Sequence, residues 1–486
     1  MGVLSELEPK CVFEQFEKIT KIPRGSGNEK KISDFLVEFA GERGLIAYQD
    51  GLHNVIILKP ATPGMEDKET LILQAHMDMV CVCDDTSSFD FLNNPIEAYV
   101  DGKYIRAKGT TLGADDGIGM ALILAVLASD SIPHPMIEAV FTSEEETGLG
   151  GANGLDYSKL SGKRIVNLDT EEENNLVIGC AGGCRVSYSG KCKKDKVEGI
   201  QYDIVVKGLK GGHSGTEIGY DHANANNLLG RILLRASNSA EVFLCSFEGG
   251  TMDNAICNHA KASVIVKKKT AKEFEKCLES LIEDLKNEYP VSEPDMNIKV
   301  KEKGKAKEEV ISSTDFEKVI GIINTVPSGV IKYSQSIENM VTASANIGIV
   351  RVKPKSFEVH VSLRGNRNSH VEDLIEKTRI IALSYGCNYE ITGSYCAWEC
   401  EKPSDYALKI AEIYRERFGK NQDIISIHAG LECACFADKV EGADIISIGP
   451  DISGAHTTHE SLDIESVARE WELLQEILKI DLCREL

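Results

Sequence analysis
No apolar run in this 486-residue chain reaches the roughly 20 residues that a membrane-spanning helix needs. The first ten residues, Met1 to Lys10, lack the basic start and apolar core of a secretory leader. Glu6 stands where a myristoylation signal has Ser or Thr, so Gly2 is a poor lipid acceptor. Positive charge is in short supply: 54 Lys and Arg against 76 Asp and Glu give a net charge of −22. That balance excludes a broad basic surface for nucleic acid or an anionic membrane, and it favours solubility. A disulfide framework is also missing. Fifteen cysteines, an odd number, in a long chain without a leader read as cytosolic thiols, and a cytoplasmic location is expected. The pairs Cys180/Cys184 and Cys396/Cys400 can be read as zinc pairs, but their spacing is loose and favours packed strand or helix residues. No internal repeat stands out.

What the chain has is length, apolar material and a recurrent pattern of acidic strand ends. At 486 residues with 42% hydrophobic content it exceeds one ordinary core and should form two domains. The apolar run Leu71-Ile72-Leu73-Gln74-Ala75 ends on His76-Met77-Asp78. Period-two alternation puts His76 and Asp78 on one side of a strand, where the imidazole can bind a cation while the carboxylate orients it or a water. Asp115 and Asp116 follow Gly113 and precede the apolar segment Met120 to Leu127, which reads as a helix. Asp115 reads as a metal ligand. Asp116 reads equally well as a helix-capping carboxylate favoured by the helix dipole. Met136 to Thr142 reads as a strand running into Ser143-Glu144-Glu145-Glu146. Three adjacent glutamates at the end of a buried strand call for a cation, and neighbouring side chains point differently, so one can bind metal while another acts as a base. Arg164 to Leu168 is a further strand, ending at Asp169. Ala443 to Pro450 carries the last, a few residues before His456.

In an open α/β sheet, ligands gather at the carboxyl ends of strands. His76, Asp115, Glu146, Asp169 and His456 all fall there. Two imidazoles and three carboxylates suit a pair of zinc-like ions with one carboxylate shared. Two ions roughly 3.5–4 Å apart are a recurrent hydrolytic device. The same donors accept Mn²⁺ or Co²⁺.

These blocks together resemble the co-catalytic zinc peptidases, a family that includes bacterial carboxypeptidases, aminoacylases and dipeptidases. Among these the chain is most similar to the dipeptidases, including those that cleave Xaa-His. The similarity runs along nearly the whole chain, through Ile22-Pro23-Arg24-Gly25-Ser26-Gly27-Asn28-Glu29, Ala75 to Val80, Gly109 to Asp115, Gly179 to Gly183, Gly208 to Gly215, Gly430-Leu431-Glu432-Cys433 and Gly454-Ala455-His456. The resemblance implies that Asp115 bridges two divalent cations. His76 and Asp169 would complete one site, Glu146 and His456 the other. Asp78 would orient His76, and Glu145 would be the general base and then acid. A cis peptide is implied between Asp115 and Asp116. His213 would stabilise the oxyanion, while Asn254 and Arg364 would grip the substrate, Arg364 at its carboxylate through a planar fork. Taken as residues alone, His213 in its Gly-rich loop also fits a turn, and Arg364 a surface ion pair. The chain departs from the family at Cys81 and Cys257, where Pro is frequent, and at Thr457-Thr458-His459, where Ser-Pro-Asp is frequent. None of these replaces a ligand or the base.

Residues 1–186 alternate strand and helix patterns and carry four of the five ligands. Residues 187–397 differ in texture, with strands at Gln201 to Lys207 and Ser356 to Leu363. Helices are expected at Asp221 to Arg235, Ala271 to Lys286, Asp315 to Asn324 and Val371 to Ser384. A helix at Asp405 to Phe418 and the strand near Ile445 return the chain to the first domain over 398–486. The expected fold is α/β: a discontinuous catalytic domain and an inserted α+β domain. The resemblance implies the same split, with a mixed sheet flanked by helices and the insertion acting as a lid. It also implies a homodimer. The expected activity is hydrolysis of a dipeptide through a metal-activated water. The alternatives are an N-acyl amino acid deacylase with the same dinuclear site, and a catalytically silent metal-binding or interaction protein. The intact Glu145 counts against the silent protein.

Overall fold
The computed structural model describes residues 2–4, 6–84, 88–335, 339–400 and 402–480. The chain divides into two compact units. The first comprises Met1–Cys180, Trp398–Ile427 and Leu431–Leu486; the second comprises Ala181–Ala397 and His428–Gly430. The expected break after residue 186 falls inside one continuous strand, Gly182–Lys191, and the units part instead after Cys180. His428–Gly430 goes with the second unit because Ala429 accepts a main-chain hydrogen bond from Ala181, and His428 bonds to Ser344 and Asn366.

The first unit is built on an eight-stranded mixed sheet. Its order is Ile46–Gln49, Val55–Lys59, Ile137–Thr142, Leu71–His76, Arg164–Asn167, Asp444–Ser447, Asn175–Cys180, Asp423–Ile427. Leu71–His76 runs parallel to both of its neighbours, so His76, Thr142 and the residues after Asn167 all emerge at one end. Every residue of Leu71–His76 and Ile137–Thr142 is buried, which explains their near-continuous apolar runs. Alternation sorts them into two cores. Leu71, Leu73, Ala75, Val55, Ile57 and Val166 face one side. Ile72, Ile56, Val140, Ile165 and Ile445 face the other, against Leu431 and Phe436. The helix Ala114–Ala128 is apolar all round and buried almost throughout, as that pattern requires. A small sheet pairs Ser461–Asp463 with Tyr104–Ala107 and with Ile452–Ser453, which fixes the loop carrying His456.

The second unit is a largely antiparallel sheet with the helices Ala225–Ser239, Ala271–Glu288, Ser313–Thr325 and Asn368–Tyr385 packed into one core. The strands expected at Gln201 to Lys207 and Ser356 to Leu363 lie within Lys194–Lys207 and Ser356–Gly365. One helix is displaced: Asp221 to Arg235 was the expected span. Asp221 adopts a left-handed conformation, and the Asn224 side chain caps the helix by accepting from Asn226 N and Asn227 N, so the helix starts at Ala225. Among the described residues no helix is long and apolar enough to cross a membrane.

Glu470, on the helix Ile464–Ile477, is 1% exposed, and its Oε1 has no hydrogen-bond partner among the described residues. Burial, reinforced by the Glu173 charge, pushes its carboxyl up to about 8. The folded state therefore holds this proton more tightly than the unfolded chain. Its contribution to stability is full at acidic pH and is lost as pH rises from the ordinary carboxylate range through about 8. Glu470→Gln should match the parent in stability near pH 4 and exceed it at pH 8 by on the order of 3 kcal/mol. Urea unfolding at several pH values checks this; a difference that does not grow with pH would contradict it.

Candidate metal centre
His76 ends the strand Leu71–His76 and is 1% exposed. Its Nε2 lies 2.9 Å from Asp115 Oδ1 and 3.4 Å from Asp169 Oδ1. The other oxygen of Asp115, Oδ2, lies 3.0 Å from His456 Nε2. His456 Nε2 is in turn 3.0 Å from Glu146. Asp115 thus faces a different imidazole with each of its oxygens. Ligand atoms of His76, Asp115 and Glu146 converge closely enough to hold one ion. The Asp115–Asp116 peptide is cis.

Asp78 stands behind His76. Its Oδ1 lies 3.4 Å from His76 Nδ1 and accepts Glu145 N at 3.0 Å. Its Oδ2 accepts the Ser26 hydroxyl at 2.8 Å and Glu146 N at 3.3 Å. One carboxylate therefore tethers both the imidazole and the backbone of the two glutamates. Asp116 bonds to main-chain amides instead. Its Oδ1 accepts Gly119 N at 3.1 Å and its Oδ2 accepts His76 N at 3.3 Å, so of its two readings the capping one describes these contacts.

The electrostatics follow from crowding. Burial opposes ionisation of Asp115, but hydrogen bonds from His456 and His76 outweigh it and hold the carboxyl well below the usual range. His456 is pushed up to about 11 by Asp115 and Glu146. Burial works against a charged His76, yet Asp169, Asp115 and Asp78 raise it well above normal. Burial, then Asp115 and Glu146, lift Asp169 to about 6 against the pull of His76. Burial also raises Glu145 well above the usual carboxylate range, with Asp169, Glu146 and Glu432 adding to it. Such a set of carboxylates around two imidazoles is rich in anionic oxygen and imidazole nitrogen, the donors that divalent zinc-like ions take.

In the second unit, His213 and Arg364 come together. Arg364 is 8% exposed rather than a surface ion pair. Its Nη1 donates to Tyr395 Oη at 3.0 Å, its Nη2 lies 3.4 Å from His213 Nε2, and its buried Nε has no partner among the described residues. Asn254 O accepts Ser214 N at 2.8 Å, which joins the Asn254 loop to the His213 turn. His428 is neutral here, driven down to about 3 by burial and by the Arg364 and His213 charges.

Sequence reasoning passed over several buried polar residues near the centre. Glu432 accepts from Gln74 and Thr142 and is raised to about 8 by burial. Arg24 and Glu460 are 2% and 3% exposed. In the second unit, Tyr395 and His428, which lie beside Arg364 and Asn366, were also passed over. Arg24 and Glu432 sit inside the blocks quoted above, and Glu460 lies four residues after His456, but nothing in their spacing marks what they bind. No cysteine joins the candidate ligand cluster among the described residues.

The family model described as peptidase family M20/M25/M40 matches residues 72–480. The cytosol non-specific dipeptidase of Escherichia coli is 36% identical over 481 residues, covering 99% of each chain. The crystal structure of an aminoacylhistidine dipeptidase from Vibrio alginolyticus superposes with a TM-score of 0.87 at 34% identity, covering 98% of this chain and 97% of that one. An aminopeptidase from Bacillus cereus, 18% identical with a TM-score of 0.55 and coverage of 97% and 98%, shares the fold.

Proposed function
This chain belongs to peptidase family M20/M25/M40, and from that premise we propose a mechanism for its activity as a metal-dependent dipeptidase. The observation that carries the reading is the two-sided Asp115, with His76 on one oxygen and His456 on the other. Our assignment is dinuclear. His76, Asp115 and Asp169 would hold one cation; Asp115, Glu146 and His456 would hold the second. Zinc is the ion we favour for imidazole and carboxylate donors, with Mn²⁺ or Co²⁺ as substitutes. When bound, the pair supplies Lewis-acid polarisation of the peptide carbonyl and a lowered pKa for the attacking water.

The chain's own residues do the rest. Glu145 accepts the water's proton and later returns it to the departing amine. Asp78 fixes the Glu145 backbone and keeps the His76 ring oriented. The His213 and Arg364 group supplies positive and hydrogen-bonding character for the oxyanion and the substrate carboxylate respectively. Arg364 Nε, without a partner among the described residues, supports that assignment, since a guanidinium fork is suited to a carboxylate. Asn254 would bond the substrate backbone.

We propose a broad dipeptide range that includes Xaa-His, in view of the two relatives named above. A cytoplasmic location and a homodimer complete the proposal, the former supported by the printed description of the E. coli relative. The test is an activity panel on metal-free protein reloaded with single divalent ions. Dipeptides, Xaa-His among them, should be cleaved, while N-acetyl amino acids should not. Turnover of the acetylated compounds with inert dipeptides would mean a deacylase instead.

A further inference from the structure
The loop that delivers Asp115 is held from both sides by buried charges. Glu460 lies on one side. Its Oε2 accepts Leu112 N at 2.7 Å and Gly113 N at 3.0 Å; its Oε1 accepts Ala114 N at 2.7 Å and Asp115 N at 3.4 Å. Four consecutive amides converge on one carboxylate. Arg24 lies on the other side. Its Nη2 donates to Gly113 O, and its Nη1 donates to Met77 O at 3.0 Å and Asp78 O at 2.6 Å. Glu460 takes the loop's N–H groups and Arg24 takes a carbonyl of the same loop. Arg24 also ties that loop to the segment following His76.

The local sequence is shaped around this arrangement. Gly113 has φ +70°, and a Cβ there would lie 2.6 Å from Arg24 Nη2 and 2.8 Å from Met79 Sδ. A Cβ on Gly117 would lie 2.5 Å from the same nitrogen. Among the charges that favour ionised Arg24, Glu460 is the foremost, so two buried charges compensate each other across the loop. Neither residue touches the candidate cations' ligand atoms. Each acts on the main chain that carries them.

We infer that Arg24 and Glu460 are positioning residues that set Asp115, and through it the separation of the two halves of the metal centre. This rests on the dinuclear reading of the preceding section. Glu460 also lies four residues past His456, so one segment supplies a ligand and the brace for the shared carboxylate. In Glu460→Gln an amide NH₂ replaces one oxygen and opposes two N–H donors, so two of the four bonds cannot form. In Arg24→Lys a single ammonium cannot reach all three carbonyls with the geometry of the fork.

The test uses the full chain, stripped and then titrated with Zn²⁺ against a chromophoric chelator. In parallel, the Co²⁺ form is read by its visible absorption, and kcat and KM are measured separately. Both variants should bind cation about 10–100-fold more weakly, the loss typical of removing a partner that orients a ligand. The cobalt bands should shift, and kcat should fall with KM nearly unchanged. Glu465→Gln, on the exposed start of the following helix, should behave as the parent. Folded variants with parental affinity and an unchanged cobalt spectrum would overturn the inference, as would failure of both variants to fold, because the pair would then serve the fold and not the site. A parent chain that itself binds no cation would instead overturn the dinuclear reading.

Discussion

Replacing Glu145 by Gln leaves a protein that still takes up its cations but hydrolyses dipeptides about 10²–10⁴-fold more slowly. The substitution keeps the side chain's size and removes only its capacity to take a proton. Glu145 does not approach His76 or His456 as the ligands do; its backbone is instead anchored by Asp78. Burial and the neighbouring charges of Asp169, Glu146 and Glu432 raise its proton affinity. A carboxylate whose proton affinity is raised is the better acceptor for the water's proton, and it can pass that proton on to the leaving amine. Elemental analysis should return the parental metal content. Near-normal turnover in the variant would remove Glu145 from the mechanism. Loss of metal would make it a ligand rather than a base.

Removing the carboxylate of Asp115 should have the larger effect: both cations lost and activity down to background. The reasoning is geometric. His76 and His456 come from segments 380 residues apart, and among the side chains brought together here Asp115 is the one lying within 3.0 Å of both imidazoles. Without it, His76 keeps Asp169, and His456 keeps Glu146, as separate and weaker pairs. Asp115→Ala also spares the Glu460 brace, because that contact is to the backbone. A folded variant carrying two equivalents of metal would contradict the shared role assigned to Asp115.

Much of this site was visible in the chain before any coordinates. A run such as Leu71 to Ala75 has to be buried, and a charge at its end has to be paired, so His76, Glu146 and Asp169 announce themselves by position. The fold class was legible for the same reason: alternation sends Leu71 and Ile72 to opposite cores, which a two-sided sheet alone satisfies. The parts that stayed hidden depend on main-chain contacts. Glu460 is recognised by four amides and Arg24 by three carbonyls, and no side-chain pattern records a partner that is backbone. Glu470 sits on an amphipathic helix like any solvated glutamate, and only tertiary packing buries it. The start of the helix at Ala225 was misread because Asn224 and Asp221 carry no apolar signal; their turn geometry decides. The break expected near residue 186 lies a few residues late because the change in texture begins inside a strand, Gly182–Lys191, which pairs along its whole length with Ser356–Gly365.

The strand order of the first unit bears on how the protein comes into being. Asp444–Ser447 occupies the place between Arg164–Asn167 and Asn175–Cys180, and Asp423–Ile427 closes the outer edge. Until those two strands are made, Arg164–Asn167 lacks its outer partner and Asn175–Cys180 lacks both of its partners. The growing chain also carries His76, Asp115, Glu146 and Asp169 hundreds of residues before His456 arrives. The candidate centre can thus be completed only once His456 has been made, long after its other four candidate ligands.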